Sequence, residues 1–452
     1  MKTVATDKQI RDAFSLSPKR IPRVLIWGLG VHGGGEGVLR FFHELGWKIT
    51  VHDPKSKEIF AETQKSFSKS QAIAWKLGTP WNDDLLHTID LLIKNPGVPL
   101  THAGLKAAKK LGIPVTNDAD IFTRVMPPNR IIGVTGTKGK TTTATLIAHI
   151  LGDRAVVVGT PKKPFLSALK SKANFVVAEY SSFDCDLLTR SPHLSILTSL
   201  FADHLNRYAS FDDYAYAKTN LWKFQTASDM LIHSDGVTKK YLKVGDGKKI
   251  LAPQLSTSLR ASLSFSVHEE AARIAVMVAR SLGVTLTDIT KRVKTYRGEE
   301  GRREHVPAVM LECYNDTTAT NPLAAVSSIT ALHHHFPKRP HAVIVGGEDK
   351  TFPDKDVREF AHALKRINTV YILPGSLSDR LHAHLTKQKN VHRVKNISEA
   401  VAHAVNAIPG GVLLLSPGAA SFNMYAHEFA RGQDFVRSVI THAHGTLPRR
   451  GR

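Results

Sequence analysis

Ile131-Ile132-Gly133-Val134-Thr135-Gly136-Thr137-Lys138-Gly139-Lys140-Thr141-Thr142 is the stretch on which the fold turns. Its first five residues read as a buried strand, a glycine-bearing turn follows at once, and Thr142 to Leu151 carries helical spacing. A strand that passes through such a turn into a helix aims backbone N–H groups and the positive end of the helix dipole at an anion. Gly136, Thr137, Lys138 and Gly139 therefore read as a phosphate cradle for ATP, with Thr142 beside them. Lys140 reads as the cation for the β and γ phosphates, and Thr141 as a hydroxyl for Mg²⁺. Counting back from Gly139 puts Val134 where the strict Walker spacing has glycine, so the form is Thr-Gly-Thr-Lys-Gly-Lys-Thr.

Downstream, a strand over Phe175 to Ala178 delivers Glu179, followed by Tyr180-Ser181-Ser182-Phe183-Asp184. A carboxylate at the C-terminal end of a strand beside a phosphate cradle suits Mg²⁺. The next strand, Leu194 to Leu197, leads to Asp203-His204-Leu205-Asn206-Arg207, where His204 suits a second metal. Glu179 and His204 read equally as metal-free polar loop residues. Lys218 falls on an apolar stripe with Phe211, Tyr214, Leu221, Trp222 and Gln225 at spacings of three and four. A lysine buried there has a lowered pKa and can react with carbon dioxide to give a carbamate, an anionic metal ligand. The pattern by itself favours a snorkelling lysine that reaches water.

Apolar runs alternating with helical patterns on both sides of this block predict α/β architecture with parallel sheets in three domains. A first, Rossmann-like domain is expected over residues 1–119, a central P-loop domain over 120–301, and a second Rossmann-like domain over 302–452 with a frayed basic tail. The first opens with a strand at Arg23 to Trp27, a Gly28-Leu29-Gly30-Val31-His32-Gly33 turn, a helix through Leu39, Phe42 and Leu45, and a strand from Lys48 to His52 that ends at Asp53. This is a G-x-G-x-x-G turn with an acid twenty residues on, the mark of a nucleotide-type unit. Asp53 can accept from a ribose or a base. Pro127-Pro128-Asn129 reads as a linker. The third domain has predicted strands at Val309 to Cys313, Ala342 to Val345, Val370 to Leu373 and Val412 to Leu415. His333-His334-His335 reads as an exposed run without a metal, because consecutive histidines at a helix end point in different directions.

Lys plus Arg is 61 against 39 for Asp plus Glu, a net charge of +22. The basic residues are scattered and lack an aromatic interleave, so a solvated basic surface is expected and nucleic acid is not. No stretch approaches the roughly 20 apolar residues of a membrane helix, and the polar Met1 to Arg20 lacks a signal peptide's apolar core. Only Cys185 and Cys313 occur, which argues against a disulfide framework and for a cytoplasmic protein. A monomer is expected.

Thr135 to Thr141, Glu179-Tyr-Ser-Ser-Phe183, Asp203-His204 and Lys218 together resemble the Mur ligases, which build the peptide of bacterial cell-wall precursors, and the resemblance runs from about residue 23 to 437. It implies two Mg²⁺ ions held by Thr141, Glu179, His204 and a carbamylated Lys218. It also implies that Arg302, in Tyr-Arg-Gly-Glu-Glu-Gly-Arg, approaches ATP. Asn95-Pro96-Gly97-Val98-Pro99, Asn315 to Asn321, Gly346 to Lys350 and Ser416 to Phe422 resemble most the member that adds D-glutamate to UDP-N-acetylmuramoyl-L-alanine. By that resemblance Asp53 and Gly97, with Gly30 and His32, hold the uridine diphosphate part. Asp316 holds the ATP ribose, and Thr320, Lys350, Ser421 and Phe422 hold glutamate. The implied reaction passes through an acyl phosphate, with closure of the third domain onto the second.

The chain departs from the family pattern at several places. His268-Glu269-Glu270-Ala271-Ala272 stands for His-Asn-x-x-Asn, and Gly159-Thr160-Pro161-Lys162 stands for Gly-Asn-Ile-Gly. Thr318 replaces a lysine, Glu428-Phe429 replaces an aromatic-Glu pair, and His32 stands where threonine is usual. Three rivals remain: a Mur-type or folylpolyglutamate-type ligase for another amino acid, a NAD-type oxidoreductase, and a nucleic-acid-dependent ATPase. The oxidoreductase leaves the cradle unexplained.

Overall fold

The structure, a computed structural model, describes residues 2–30, 34–160, 163–205 and 207–443. His32, Gly33, Pro161, Lys162, Asn206 and the basic tail Arg449-Arg450-Gly451-Arg452 lie outside the described residues. The chain divides into two compact units: residues 1–256 with 270–289, and residues 257–269 with 290–452.

The first unit holds two parallel sheets. One contains β1 (Arg23–Trp27), β2 (Lys48–Asp53), β3 (Ile73–Leu77), β4 (Leu91–Lys94) and β5 (Val115–Thr116) in the order β3-β2-β1-β4-β5. The other contains β6 (Ile131–Thr135), β7 (Ala155–Val158), β8 (Phe175–Glu179), β9 (Leu194–Leu197), β10 (Met230–His233) and β11 (Lys248–Leu251) in the order β11-β10-β9-β6-β8-β7. Their central strands are buried along their length, β4, β6 and β9 at every position. That is the condition of a parallel sheet covered on both faces, and it explains why these strands are continuous apolar runs rather than alternations. The helix Gly34–Glu44 covers the first sheet with Val38, Leu39, Phe41 and Phe42.

The Pro127-Pro128-Asn129 linker is a single turn of 3₁₀ helix, Pro128–Arg130. The two sheets share one core across it. The Phe122 and Phe165 rings meet at a tilt with centroids 5.7 Å apart, and Phe165 lies 4.9 Å from Tyr180. A Cβ on Gly37 would come within 2.9 Å of Pro164, so that helix needs glycine to approach the second domain.

The second unit holds β12 (Glu304–Val306), β13 (Glu312–Asn315), β14 (His341–Val345), β15 (Thr369–Ile372), β16 (Val391–Arg393) and β17 (Val412–Leu415), in the order β12-β13-β17-β14-β15-β16. All pair in parallel except β12, which runs antiparallel to β13 at the edge. The α/β expectation with largely parallel sheets holds.

Several local expectations are corrected. The strand expected over Val309 to Cys313 is β13, which starts at Glu312, because the Val309 and Met310 N–H groups are taken by the Ala443 carbonyl at the end of the last helix. The first glycine-turn helix of the second domain begins at Lys140, two residues earlier than expected. The helix carrying Lys218 runs Phe211–Thr219 and stops short of Gln225. Leu221, Trp222 and Gln225 are nevertheless buried, in the turn that follows. Of the three consecutive histidines only His334 is exposed. The His335 ring lies 2.7 Å from the Leu263 carbonyl, a hydrogen-bonded position that draws it inward.

Candidate active site

In the second sheet β6 lies between β8 and β9, with Val134 opposite Glu179 and Thr135 opposite Leu197. The phosphate-cradle turn, Glu179 and the Asp203-His204 loop therefore leave from neighbouring strand ends on one edge, where ligands gather in parallel α/β sheets. The cradle is held from below by the β9 loop. The Thr137 N–H donates to Ser199 O (2.9 Å), the Lys138 N–H to Ser199 Oγ (2.9 Å), and Thr198 Oγ1 to Lys138 O (2.5 Å). Gly136 has φ +152°, and a Cβ there would fall 2.1 Å from Thr198 Oγ1, so only glycine fits. Gly139, left-handed at φ +84°, is the N-cap of Lys140–Leu151 and leaves that helix's first N–H groups facing the turn. Lys140 Nζ donates to the Gly136 and Thr137 carbonyls at 3.1 and 3.2 Å, which keeps the ammonium over the loop.

Lys218 does not snorkel: it is 1 % exposed. Its Nζ lies 4.8 Å from the Tyr214 ring centroid, and the His204 ring lies 6.1 Å from the same ring, so Lys218 and His204 flank one tyrosine. The Tyr214 hydroxyl donates to Thr137 Oγ1 at 3.1 Å, tying this trio to the cradle. Burial, reinforced by the Lys140 charge, pushes the Lys218 ammonium down to about 8. Burial also lowers His204, Asp203 partly offsets this, and Lys218 and Lys140 add to it. His204 sits at φ +53°, a conformation that costs a non-glycine residue on the order of 1–3 kcal/mol and is held in the β9 loop. Among the described residues no group of three or more His, Cys, Asp and Glu side chains gathers as a metal site, and a buried amine whose pKa is lowered to about 8 fits the chemistry of a carbamate.

The nucleotide-type turn of the first sheet is also formed. Gly28 and Gly30 have φ +86° and +70°, and a Cβ on Gly28 would meet Asn95 Cβ at 2.9 Å. Asp53 Oδ2 accepts from the Leu29 and Gly30 N–H groups (2.9 and 3.3 Å) and Oδ1 from Lys55 N–H (2.9 Å), so Asp53 shapes the turn itself. The Gly97 N–H donates to Asn95 Oδ1 at 3.0 Å. A cavity of about 410 Å³ joins this turn to the second sheet, lined among others by Gly28, Gly30, Asn95, Thr160, Glu179 and Ser181.

In the second unit the expected residues follow β13, β14 and β17, which are neighbours. Asp316 is buried. Its Oδ1 accepts from the Arg303 N–H (3.2 Å) and its Oδ2 from Ser328 Oγ (2.7 Å) and Ser416 Oγ (3.0 Å), and burial raises its pKa. Arg302 is half-buried, whereas its neighbour Arg303 is buried and donates through Nε to Ser328 Oγ at 3.0 Å. The loops bearing Lys350 and Ser421 are joined by mutual N–H to carbonyl bonds between Glu348 and Ala420, each 3.0 Å. Lys350 and Phe422 are exposed and Thr320 is half-buried. Ser421 Oγ is buried with no hydrogen-bond partner among the described residues. Arg431, unnoticed in the sequence, is 1 % exposed. It donates to the carbonyls of Thr317, Ala419 and Ala420 and to Thr317 Oγ1, clamping the loops around Ser421.

A glycine turn into a helix N-terminus, with a carboxylate on the next strand, defines a P-loop nucleotide-binding protein. Family models cover most of the chain: "Mur ligase MurD-like, N-terminal domain" over residues 22–117, "Mur ligase middle domain" over 134–277, and "Mur ligase, glutamate ligase domain" over 301–419. Relatives named UDP-N-acetylmuramoylalanine--D-glutamate ligase, from Roseiflexus sp. (strain RS-1) and Alkaliphilus oremlandii (strain OhILAs), are each 30 % identical over 92 % of this chain and cover 98 % and 97 % of their own lengths. The chain belongs to the Mur ligase family, with a MurD-like N-terminal domain. Solved structures share the fold. MurF from Acinetobacter baumannii matches with TM-score 0.58 at 13 % identity over 96 % of this chain and 98 % of that one. MurC from Thermotoga maritima matches with TM-score 0.55 at 18 % identity over 93 % and 99 %. No described helix is long and apolar enough to cross a membrane, and both cysteines are free and buried.

Proposed function

We propose that the chain is an ATP-dependent ligase that joins D-glutamate to the alanine carboxylate of UDP-N-acetylmuramoyl-L-alanine, a step in peptidoglycan precursor synthesis. The reading rests above all on three adjacent strand ends, β8, β6 and β9, that bring Glu179, the phosphate cradle and His204 to one edge beside Lys218. A cradle alone would serve ATP hydrolysis. The cavity that runs from Glu179 and Ser181 to the nucleotide-type turn supplies a place for a second substrate.

A carboxylate is a poor electrophile because its charge repels the nucleophile. Transfer of the γ-phosphoryl group forms a bond from a carboxylate oxygen to phosphorus and breaks the β–γ bridge, releasing ADP. The amine nitrogen of glutamate then attacks the acyl carbon, loses a proton, and expels phosphate through a tetrahedral intermediate. Lys140 and the helix N-terminus oppose charge as it develops on the phosphates. Thr141, Glu179, His204 and a carbamylated Lys218 would hold Mg²⁺, which when bound supplies further neutralisation. The buried Ser421 hydroxyl, without a hydrogen-bond partner among the described residues, and the neighbouring Lys350 suit a carboxylate of the incoming amino acid. Cytoplasmic action as a monomer accords with this reading.

The deciding experiment is phosphate release with ATP, Mg²⁺ and UDP-N-acetylmuramoyl-L-alanine against a panel of amino acids. D-glutamate alone should drive stoichiometric product. Turnover with another amino acid, or with a folate acceptor, would replace the reading by another ligase of the class.

A further inference from the structure

A buried lysine stands in the wall of the cavity that joins the first-sheet turn to Glu179 and Ser181. Lys94 ends β4, in register with Trp27, the residue before Gly28. It is 2 % exposed. Among the described residues its ammonium makes one long contact, 3.5 Å to the Asn95 carbonyl. An ammonium carries three N–H donors and is rarely buried without partners. Donor capacity is therefore left over, on a side chain that lines a cavity.

The neighbours say what the remaining donors suit. Asp118, Asp184 and Asp186 act on Lys94 at longer range, and Arg207 opposes them. Each carboxylate has a partner of its own. Asp118 accepts from the Ala119 N–H (3.0 Å), Asp184 from the Ser181 N–H (2.7 Å) and Asp186 from the Tyr208 hydroxyl (3.1 Å). Burial still lowers the Lys94 pKa, so these acids do not fully compensate its desolvation. A phosphate brought to Lys94 would face three carboxyl groups. A neutral carbonyl oxygen accepts an N–H without adding negative charge among them, and it replaces the hydration that burial removed.

We propose that Lys94 donates to a neutral carbonyl oxygen in the amide-bearing part of the acceptor, beyond its uridine diphosphate. Lys94 is thus a specificity residue for the acceptor rather than a phosphate ligand. The inference rests on the proposed acceptor, UDP-N-acetylmuramoyl-L-alanine.

The test is calorimetric titration of the full-length protein with UDP-N-acetylmuramoyl-L-alanine and, separately, with UDP. Lys94→Met should raise Kd for the precursor roughly 10- to 100-fold, the range of a hydrogen bond to a charged donor, and leave Kd for UDP unchanged. Lys94→Met also strips the nearby acids of a counter-charge, so Lys94→Met/Asp184→Asn is measured beside it, with Asp184→Asn alone as the control. A lysine that merely neutralises predicts that the double variant regains both thermal stability and precursor affinity. The proposal predicts regained stability with affinity still lost, and retained affinity in the control. It is overturned by precursor affinity within about twofold of wild type in either lysine variant, or by an equal loss for UDP. A wild-type protein that binds UDP but not the precursor overturns the acceptor assignment instead.

Discussion

Lys218→Ala removes a buried side chain whose pKa the fold lowers. The residue is 1 % exposed, and burial with the neighbouring Lys140 brings its pKa from 10.5 to about 8. At pH 7 about 10 % of such an amine is neutral, against about 0.03 % for an unshifted lysine, so the fold enriches the reactive form roughly 300-fold. Carbamate formation uses that form: the amine nitrogen attacks the carbon of carbon dioxide and releases a proton. Protein equilibrated with ¹³C-bicarbonate should show a carbamate resonance that grows from about pH 7 to about 9 at constant dissolved carbon dioxide. The resonance should be absent in Lys218→Ala. Ligation by the variant should fall on the order of 10³-fold, as when an electrostatic stabiliser is lost, while ATP affinity changes little. Short carboxylates such as acetate should restore part of the rate by entering the space vacated. Lys218→Ala turning over at the wild-type rate would refute the reasoning, and so would a wild type without the carbamate signal at any pH in that range.

Further outcomes follow from individual contacts. Gly136→Ala places a Cβ 2.1 Å from Thr198 Oγ1 and should abolish ATP binding. Gly139→Ala meets nothing closer than 3.6 Å, so its left-handed backbone should cost only about 1–2 kcal/mol in urea unfolding; equal effects of the two on nucleotide titrations would contradict this. Arg431→Met frees the carbonyls of Thr317, Ala419 and Ala420 and should destabilise the protein by on the order of 3 kcal/mol. Its KM for D-glutamate should rise more than its KM for ATP, and a matched rise would show that the clamp does not act on the Ser421 loop.

Asp118 gives a pH test. Burial, with Asp184 adding to it, raises its pKa from 3.8 to about 7. Between those values the folded chain keeps a proton that the unfolded chain has lost. Its contribution to stability is therefore full below about pH 4 and lost as pH rises through about 7. Asp118→Asn should flatten the fall in unfolding free energy over about pH 4 to 7, and an unchanged slope in urea titrations would count against that origin.

Strands legible in the sequence have apolar runs buried on both faces, but the buried central strand β4 was missed all the same. The extents of β1, β6, β9 and β17 agree with expectation residue for residue. Edge strands escaped notice. β11 is Lys248-Lys249-Ile250-Leu251 and half-exposed, and β16 is Val391-His392-Arg393 with two exposed residues, so neither carries an apolar signature. The helix through Lys218 was overextended because Leu221 and Trp222 keep the apolar spacing while being buried in a turn. Within the site, the cradle, Glu179 and His204 were legible because each lies on or just after a strand and carries its chemistry in a short motif. Lys94 and Arg431 were not. Lys94 ends the plain apolar run Leu91-Leu92-Ile93, and Arg431 finds its partner Thr317 at a distance of 114 residues.

By itself the sequence determined the glycine turn between β6 and its helix, the carboxylate and imidazole that follow β8 and β9, and the α/β class, because these depend on local backbone geometry and on the period of apolar residues. Only the tertiary structure decided the state of the charged groups. Lys218 is a buried lysine with a lowered pKa rather than a snorkelling one because Tyr214 and the surrounding core exclude water and Lys140 stands nearby. Asp53 and Asp316 are locked into hydrogen bonds with N–H groups and hydroxyls that the sequence does not place beside them. Solvation and electrostatic potential at a side chain are set by whatever surrounds it in space, and most of those neighbours come from elsewhere in the chain.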